Sequence, residues 1–146
     1  MVQYISNSAE ETFQIGYQLG LEVCSPSVIC FFGDLAAGKT TFIKGLITAA
    51  AQVDPSIIQS PTFTYLHIYE GSKTVYHFDL YRLRDTDEFL SMGFDEYFEL
   101  DGICCLEWSE RIIDCLPRDH IRVILSHLGE DQRLIHIITS KNSKSG

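Results

Sequence analysis

Val28-Ile29-Cys30-Phe31-Phe32-Gly33-Asp34-Leu35-Ala36-Ala37-Gly38-Lys39-Thr40 decides the fold. Five apolar residues deliver the chain as a buried strand to a turn bounded by Gly33 and Gly38, and a helix-competent stretch begins at Thr41. A turn that wraps and then ends at a helix N-terminus points free N–H groups inward, which is a cradle for phosphate. In that cradle Lys39 is placed to reach the β- and γ-phosphates of a nucleoside triphosphate, and the Thr40 hydroxyl to ligate Mg²⁺. The bland alternative is a glycine turn with an incidental lysine. A chance match to the glycine-lysine pattern arises in roughly one chain of this length in two hundred, and the flanking strand and helix make it rarer.

The 146 residues are 45% hydrophobic and 12% aromatic, enough for the core of a single domain, expected over 1–140 with a flexible tail at 141–146. No apolar run approaches the ~18 residues that span a bilayer. The start Met1-Val2-Gln3-Tyr4 carries neither a basic segment nor an apolar block, so a cytoplasmic protein with no membrane association is expected. The five cysteines (24, 30, 104, 105 and 115) include no Cys-x-x-Cys pair and lie mostly in apolar runs. They read as reduced, buried small hydrophobes. A net charge of −9 repels phosphate backbones, so no direct tight tRNA binding is expected.

Ser8-Ala9-Glu10-Glu11 reads as a capping box opening a helix to about Val23, with Phe13, Tyr17 and Gly20 on one side. The helix after the phosphate loop spans about 39–51. Residues 63–70 and 74–79 read as a hairpin around Gly71-Ser72, and 120–128 with 133–139 as a second. Short helices are expected at 85–93, 94–99 and 109–116, with a buried strand, Ile103-Cys104-Cys105-Leu106, between them. This gives an α/β, three-layer P-loop nucleotide-binding fold with a mixed, centrally parallel sheet and added β-hairpins. The triphosphate belongs beyond the carboxyl ends of the central strands.

Such a site needs a carboxylate at the end of a neighbouring buried strand. Glu107, after four apolar residues, and Asp79, after Val75-Tyr76-His77-Phe78, both qualify. A buried glutamate without a cation is costly, which favours Glu107 for the metal and leaves Asp79 to a bound or attacking water. The two roles are exchangeable at this level, and Asp79 reads equally as a turn cap. Ser60-Pro61-Thr62 is either a simple turn or a loop whose hydroxyls respond to the γ-phosphate. Tyr65, His67 and Tyr69 read as one packed strand face. Trp108 is core or a wall of the pocket. Arg82 and Arg84 are solvated charges or partners of a transferring phosphate.

Taken in order and spacing, Gly33–Thr41, Ser60-Pro61-Thr62-Phe63-Thr64, Tyr76-His77-Phe78-Asp79-Leu80-Tyr81-Arg82-Leu83, Met92-Gly93-Phe94-Asp95-Glu96-Tyr97-Phe98 and Leu106-Glu107-Trp108 resemble the bacterial TsaE (YjeE) ATPases, over about residues 4–139. The resemblance implies an ATPase that helps to make N6-threonylcarbamoyladenosine at position 37 of tRNAs. It would act on a complex of the carbamoyl-transfer subunit and its non-catalytic paralogue. The resemblance implies that Lys39 and the backbone of 36–41 (Ala36, Ala37, Gly38, Thr40 and Thr41 with it) hold phosphates beside Gly33. It places Thr40 and Glu107 on Mg²⁺, Asp79 in hydrolysis, Thr62 in a switch loop, Trp108 beside the site and the Ser8 segment near the adenine. Ala36 departs from the family's usual glycine, which restricts positive φ there.

Three functions fit these residues. The first is an ATPase using ATP and Mg²⁺, slow in isolation because no glutamine or arginine is evidently placed to complete the site. The second is a nucleotide-gated interaction module in which occupancy rather than hydrolysis regulates the partner complex. The third, a small-molecule phosphotransferase, lacks an arginine-rich lid. GTP is disfavoured, since the only similar segment, Lys141-Asn142-Ser143-Lys144, lacks the base-reading acid.

Overall fold

The computed structural model describes residues 1–34 and 37–139. In chain order the elements are β1 (Val2–Ser6), α1 (Ala9–Glu22), β2 (Ser27–Phe32), α2 (Lys39–Ala51), β3 (Leu66–Tyr69), β4 (Val75–Asp79), α3 (Thr86–Ser91), β5 (Ile103–Glu107), β6 (Ile121–His127) and β7 (Arg133–Thr139). Single 3-10 turns or short 3-10 stretches occupy Pro55–Ile57, Phe94–Glu99 and Ser109–Cys115. The expected tail, 141–146, and Ala36 lie outside the described residues.

Among the described residues seven strands form one sheet in the order β1-β7-β6-β2-β5-β4-β3. The centre, β6-β2-β5-β4, is parallel, and both flanks are antiparallel hairpins closed by β1 on one side. This is the mixed, centrally parallel sheet that the sequence implies. Side chains alternate between faces along each strand. Ile29, Phe31, Ile103 and Cys105 face α2 residues Phe42, Ile43, Leu46 and Ile47 in one core cluster. Val28, Cys30, Phe78 and Leu106 face the other way, against Leu83, Phe89, Ile112 and the 94–98 aromatics. Helices therefore cover both faces, and the central strands β2, β4 and β5 are buried along nearly their whole length.

The capping bond from Ser8 forms, Ser8 Oγ accepting from Glu11 N at 3.1 Å, while Glu11 Oε1 reaches back one residue further than a capping box requires and accepts from Asn7 N at 2.7 Å. Helices α1 and α2 pack backbone to backbone. A Cβ added at Gly16 would lie 2.1 Å from Phe42 O, and one at Gly45 would lie 2.1 Å from Phe13 O. That approach fixes the start of α1 beside the start of α2. Among the described residues no helix is long and apolar enough to cross a membrane.

Four expectations need correction. β1 reads as no element in the sequence; it exists because Val2–Ser6 pairs residue for residue with β7. The strand expected from 63 begins only at Leu66, because Tyr65 takes φ 68° and its amide bonds Pro61 O at 2.8 Å, a turn rather than a ladder. Tyr65 consequently packs in the cluster of Phe78 and Phe94, whereas Tyr69 packs in that of α2, so the two do not share a face. Finally, Cys24 is exposed and Cys115 half-buried, while Cys30, Cys104 and Cys105 are buried as expected.

Candidate phosphate site

The carboxyl ends of β2, β5 and β4 are neighbours in the sheet, so the residues at and just beyond those ends converge. β4 and β5 pair in parallel with Asp79 opposite Glu107 and His77 opposite Cys105. Cys105 faces α2, which assigns Asp79, His77 and Glu107 to that same face. Asp79 is 6% and Glu107 5% exposed, although both end their strands. A cavity of about 580 Å³ opens there, with Lys39, Thr40, Thr41, Asp79, Glu107 and Trp108 on its walls.

Gly38 stands at the N-terminus of α2 with φ 98°, a left-handed conformation that glycine adopts without steric penalty. It turns the chain so that the first N–H groups of α2, which have no partner within the helix, face the cavity mouth. The preceding turn is closed by Ala37 N donating to Asp34 O at 3.1 Å. Lys39 is 7% exposed, and its Nζ donates to Gly33 O at 2.8 Å. The same ammonium sits 4.8 Å from the centre of the Trp108 ring. Trp108 takes φ 64° to hold that position, an arrangement costing about 1–3 kcal/mol for a residue with a side chain. The lysine is thus weakly held, by a neutral carbonyl and a π-face. A phosphate oxygen offers a stronger charge-assisted partner.

Each acid has distinct neighbours. Asp79 Oδ1 accepts from Tyr81 N at 3.1 Å, the turn-capping bond. Its Oδ2 accepts from Ser60 Oγ at 3.3 Å and Thr62 Oγ1 at 3.2 Å. The Ser60-Pro61-Thr62 loop is therefore fastened to β4 through one carboxylate oxygen. Glu107 Oε2 accepts from His77 Nε2 at 2.9 Å. Thr40, Asp79 and Glu107 supply only oxygen donors, which is the chemistry Mg²⁺ selects when it shares its shell with phosphate oxygens.

The residues expected from the sequence are brought together around this cavity, with Gly33 and Ala37 in the turn that precedes α2; Ala36 lies outside the described residues. Thr62 is on the wall, and Ser8, Ala9 and Thr12 from the start of α1 also line the cavity. The sequence reading missed His77, Tyr81 and Arg133. Arg133 begins β7, and its Nε lies 3.9 Å from where a Cβ on Gly38 would stand. Only the strand order could have revealed it, because β7 pairs with β6, the neighbour of β2. Arg82 and Arg84 lie elsewhere. The Arg82 guanidinium stacks 4.4 Å from the Phe63 ring, and Arg84 pairs with Glu88 at 3.4 Å.

The family model described as "Threonylcarbamoyl adenosine biosynthesis protein TsaE" matches residues 6–135. The chain belongs to the TsaE family. It is 38% identical over 133 residues to the Treponema pallidum protein named tRNA threonylcarbamoyladenosine biosynthesis protein TsaE, covering 91% of this chain and 97% of that one. The Aquifex aeolicus protein of the same name is 35% identical over 136 residues, covering 92% and 94%. A crystal structure of Bacillus subtilis YdiB matches the fold with a TM-score of 0.75 at 31% identity, over 94% of this chain and 84% of that chain. The TsaE motifs quoted from the sequence supply Lys39, Thr40, Thr62, Asp79, Glu107 and Trp108 to one cavity.

Proposed function

We propose that this TsaE-family chain binds ATP with Mg²⁺ in the cavity and hydrolyses it slowly. It acts in the cytoplasm with the carbamoyl-transfer subunit and its non-catalytic paralogue in threonylcarbamoyl modification of adenosine 37 in tRNA. The observation that carries the reading is the convergence of Lys39 with two buried acids at the carboxyl ends of adjacent parallel strands. Two carboxylates buried side by side repel one another, and a cation together with the Lys39 ammonium offsets that repulsion.

In this reading Lys39 exchanges the Gly33 carbonyl for phosphate oxygens and neutralises charge that develops on the transferring group. The α2 N-terminus orients the phosphate chain. Thr40 and Glu107 hold Mg²⁺, which, when bound, adds charge stabilisation at the phosphoryl oxygens. Asp79 orients the attacking water and accepts its hydrogen bond. Trp108 and Tyr81, whose rings lie 5.0 Å apart, wall the site against solvent. The expected rate is low until a partner docks and orders the Ser60-Pro61-Thr62 loop.

One observation favours the nucleotide-gated reading as a companion. Asp79 holds the Ser60 and Thr62 hydroxyls, so a ligand that engages Asp79 competes for the fastening of an exposed loop. Glu107→Gln separates the readings. If hydrolysis matters, this variant binds ATP and forms the nucleotide-dependent complex with both partners on gel filtration, yet fails to sustain tRNA modification. Full modification by the variant would leave occupancy as the active signal. Lack of any ATP-dependent co-elution of the unmodified chain would reject both.

A further inference from the structure

His77 is 1% exposed, and its Nε2 bonds Glu107 Oε2 at 2.9 Å. Its Nδ1 is buried without a hydrogen-bond partner among the described residues. A buried imidazole with an unsatisfied nitrogen is an expensive core residue, and an apolar side chain would fill the place better. The strand register explains what the histidine does there. His77 lies two residues before Asp79 on the same face of β4, and Asp79 stands opposite Glu107. The histidine therefore reaches diagonally across to Glu107 from behind, on the side away from the cavity end of the strand. The ring occupies Oε2 of a carboxylate that lines the cavity, so Oε1 is the oxygen not engaged by the histidine.

We infer that His77 is the positioning residue of the site: it tethers Glu107 so that a single carboxylate oxygen is presented to the divalent cation accompanying the triphosphate. Untethered, Glu107 has rotamers that bring it toward Asp79, where like charges repel, or out of the cavity. The imidazole donates to the carboxylate and touches neither nucleotide nor metal; a partner held behind a metal ligand in this way tunes metal affinity. The inference rests on the ATP–Mg²⁺ reading and adds to it the residue that sets cation affinity.

The test compares wild type with His77→Phe, which keeps the volume without the donor, His77→Asn, whose amide stands at the Nδ1 position, and His77→Gln, whose amide reaches the Nε2 position. ATP binding is measured by calorimetry at a series of Mg²⁺ concentrations and in EDTA, with Trp108 fluorescence as a second readout. Phosphate release is followed in parallel. His77→Phe and His77→Asn are expected to raise the Mg²⁺ concentration for half-maximal ATP binding by about 10–100-fold. ATP affinity in EDTA stays at the wild-type value, and His77→Gln restores most of the loss. Saturating Mg²⁺ recovers phosphate release in the variants.

If Phe is not accepted in the core, the contrast between Asn and Gln carries the result, as both introduce the same amide. Equal Mg²⁺ dependence for Asn, Gln and wild type overturns the inference while leaving the ATP reading intact. Equal losses with and without Mg²⁺ make His77 a packing residue and overturn it as well. Wild-type protein that binds no ATP at any Mg²⁺ concentration removes the reading and the inference together.

Discussion

Asp79 and Glu107 stand opposite each other at the ends of adjacent parallel strands, yet their carboxylates are held by different partners. Asp79 accepts two loop hydroxyls and a backbone N–H, whereas Glu107 accepts from an imidazole. The two acids are thus neither redundant nor equivalent. One is coupled to an exposed loop and the other to the sheet interior.

Asp79→Ala should therefore have a signature that Glu107→Gln lacks. Removing the acceptor releases the Ser60 and Thr62 hydroxyls and uncaps the Tyr81 turn. Hydrogen exchange of amides in 60–65 is expected to accelerate, and turnover to fall by about 10²-fold, of the order seen when one polar contact to the reacting centre is lost. Exchange in that segment unchanged from wild type would show that the loop is held by other means.

Lys39→Ala removes an ammonium group from the cavity wall. Turnover is expected to fall by about 10²–10³, equivalent to roughly 3–4 kcal/mol of charge stabilisation. Thermal stability should change little, because the Nζ is held by a neutral carbonyl, Gly33 O, and the Trp108 ring. Turnover within threefold of wild type, measured as phosphate release at saturating ATP, would reject Lys39 as the phosphate ligand.

The phosphate loop, both hairpins, the two acids and the helix boundaries at Lys39 and Ala51 were legible because each has a local cause. A five-residue apolar run, a capping box, a glycine turn and a strand-end acid are all read within a dozen residues. The features that escaped the sequence are non-local. Val2–Ser6 is a strand only because β7 is beside it, and four of its five side chains are exposed, so no burial pattern marks it. Arg133 reaches the cavity because strand order brings the start of β7 beside Gly38. His77 looks like one more residue of a buried strand until register sets it diagonal to Glu107. Tyr65 alternates with His67 and Tyr69 in the sequence, and the turn bond to Pro61 O at 2.8 Å overrides that alternation.

Gly16→Ala sets two effects against each other. Helix propensity alone predicts stabilisation by about 1 kcal/mol for replacing an interior glycine with alanine. The added methyl would lie 2.1 Å from Phe42 O, a backbone atom that cannot move without displacing α2. Overpacking of that kind costs about 1–3 kcal/mol, so a net loss in urea unfolding is expected. The same displacement moves Ser8 and Thr12 on the cavity wall, so KM for ATP should rise with the loss of stability. A gain in the urea midpoint would mean that α1 and α2 separate freely.

The cysteines divide by burial, and the division is measurable as reactivity and as a pH effect. Burial pushes the Cys30 thiol up from 9.0 to about 11 and the Cys104 thiol to about 12, and raises Cys105 well above its ordinary value. Cys24, just past the end of α1, is exposed. At pH 8 in native protein, a chromogenic thiol reagent should titrate Cys24 rapidly, Cys115 slowly, and the three strand cysteines only after unfolding. In the unfolded chain these thiols lose their protons near pH 9.0, whereas in the folded chain Cys30 keeps its proton to about 11. Above pH 9 the native state therefore binds more protons than the unfolded state, and stability falls as pH rises through that window. Replacing Cys30 and Cys104 with Ala should flatten the fall between pH 9 and 11 while lowering stability at neutral pH through the lost packing. An unchanged slope in that window would place the alkaline loss elsewhere, and rapid modification of five thiols at pH 8 would contradict the burial of the central strands.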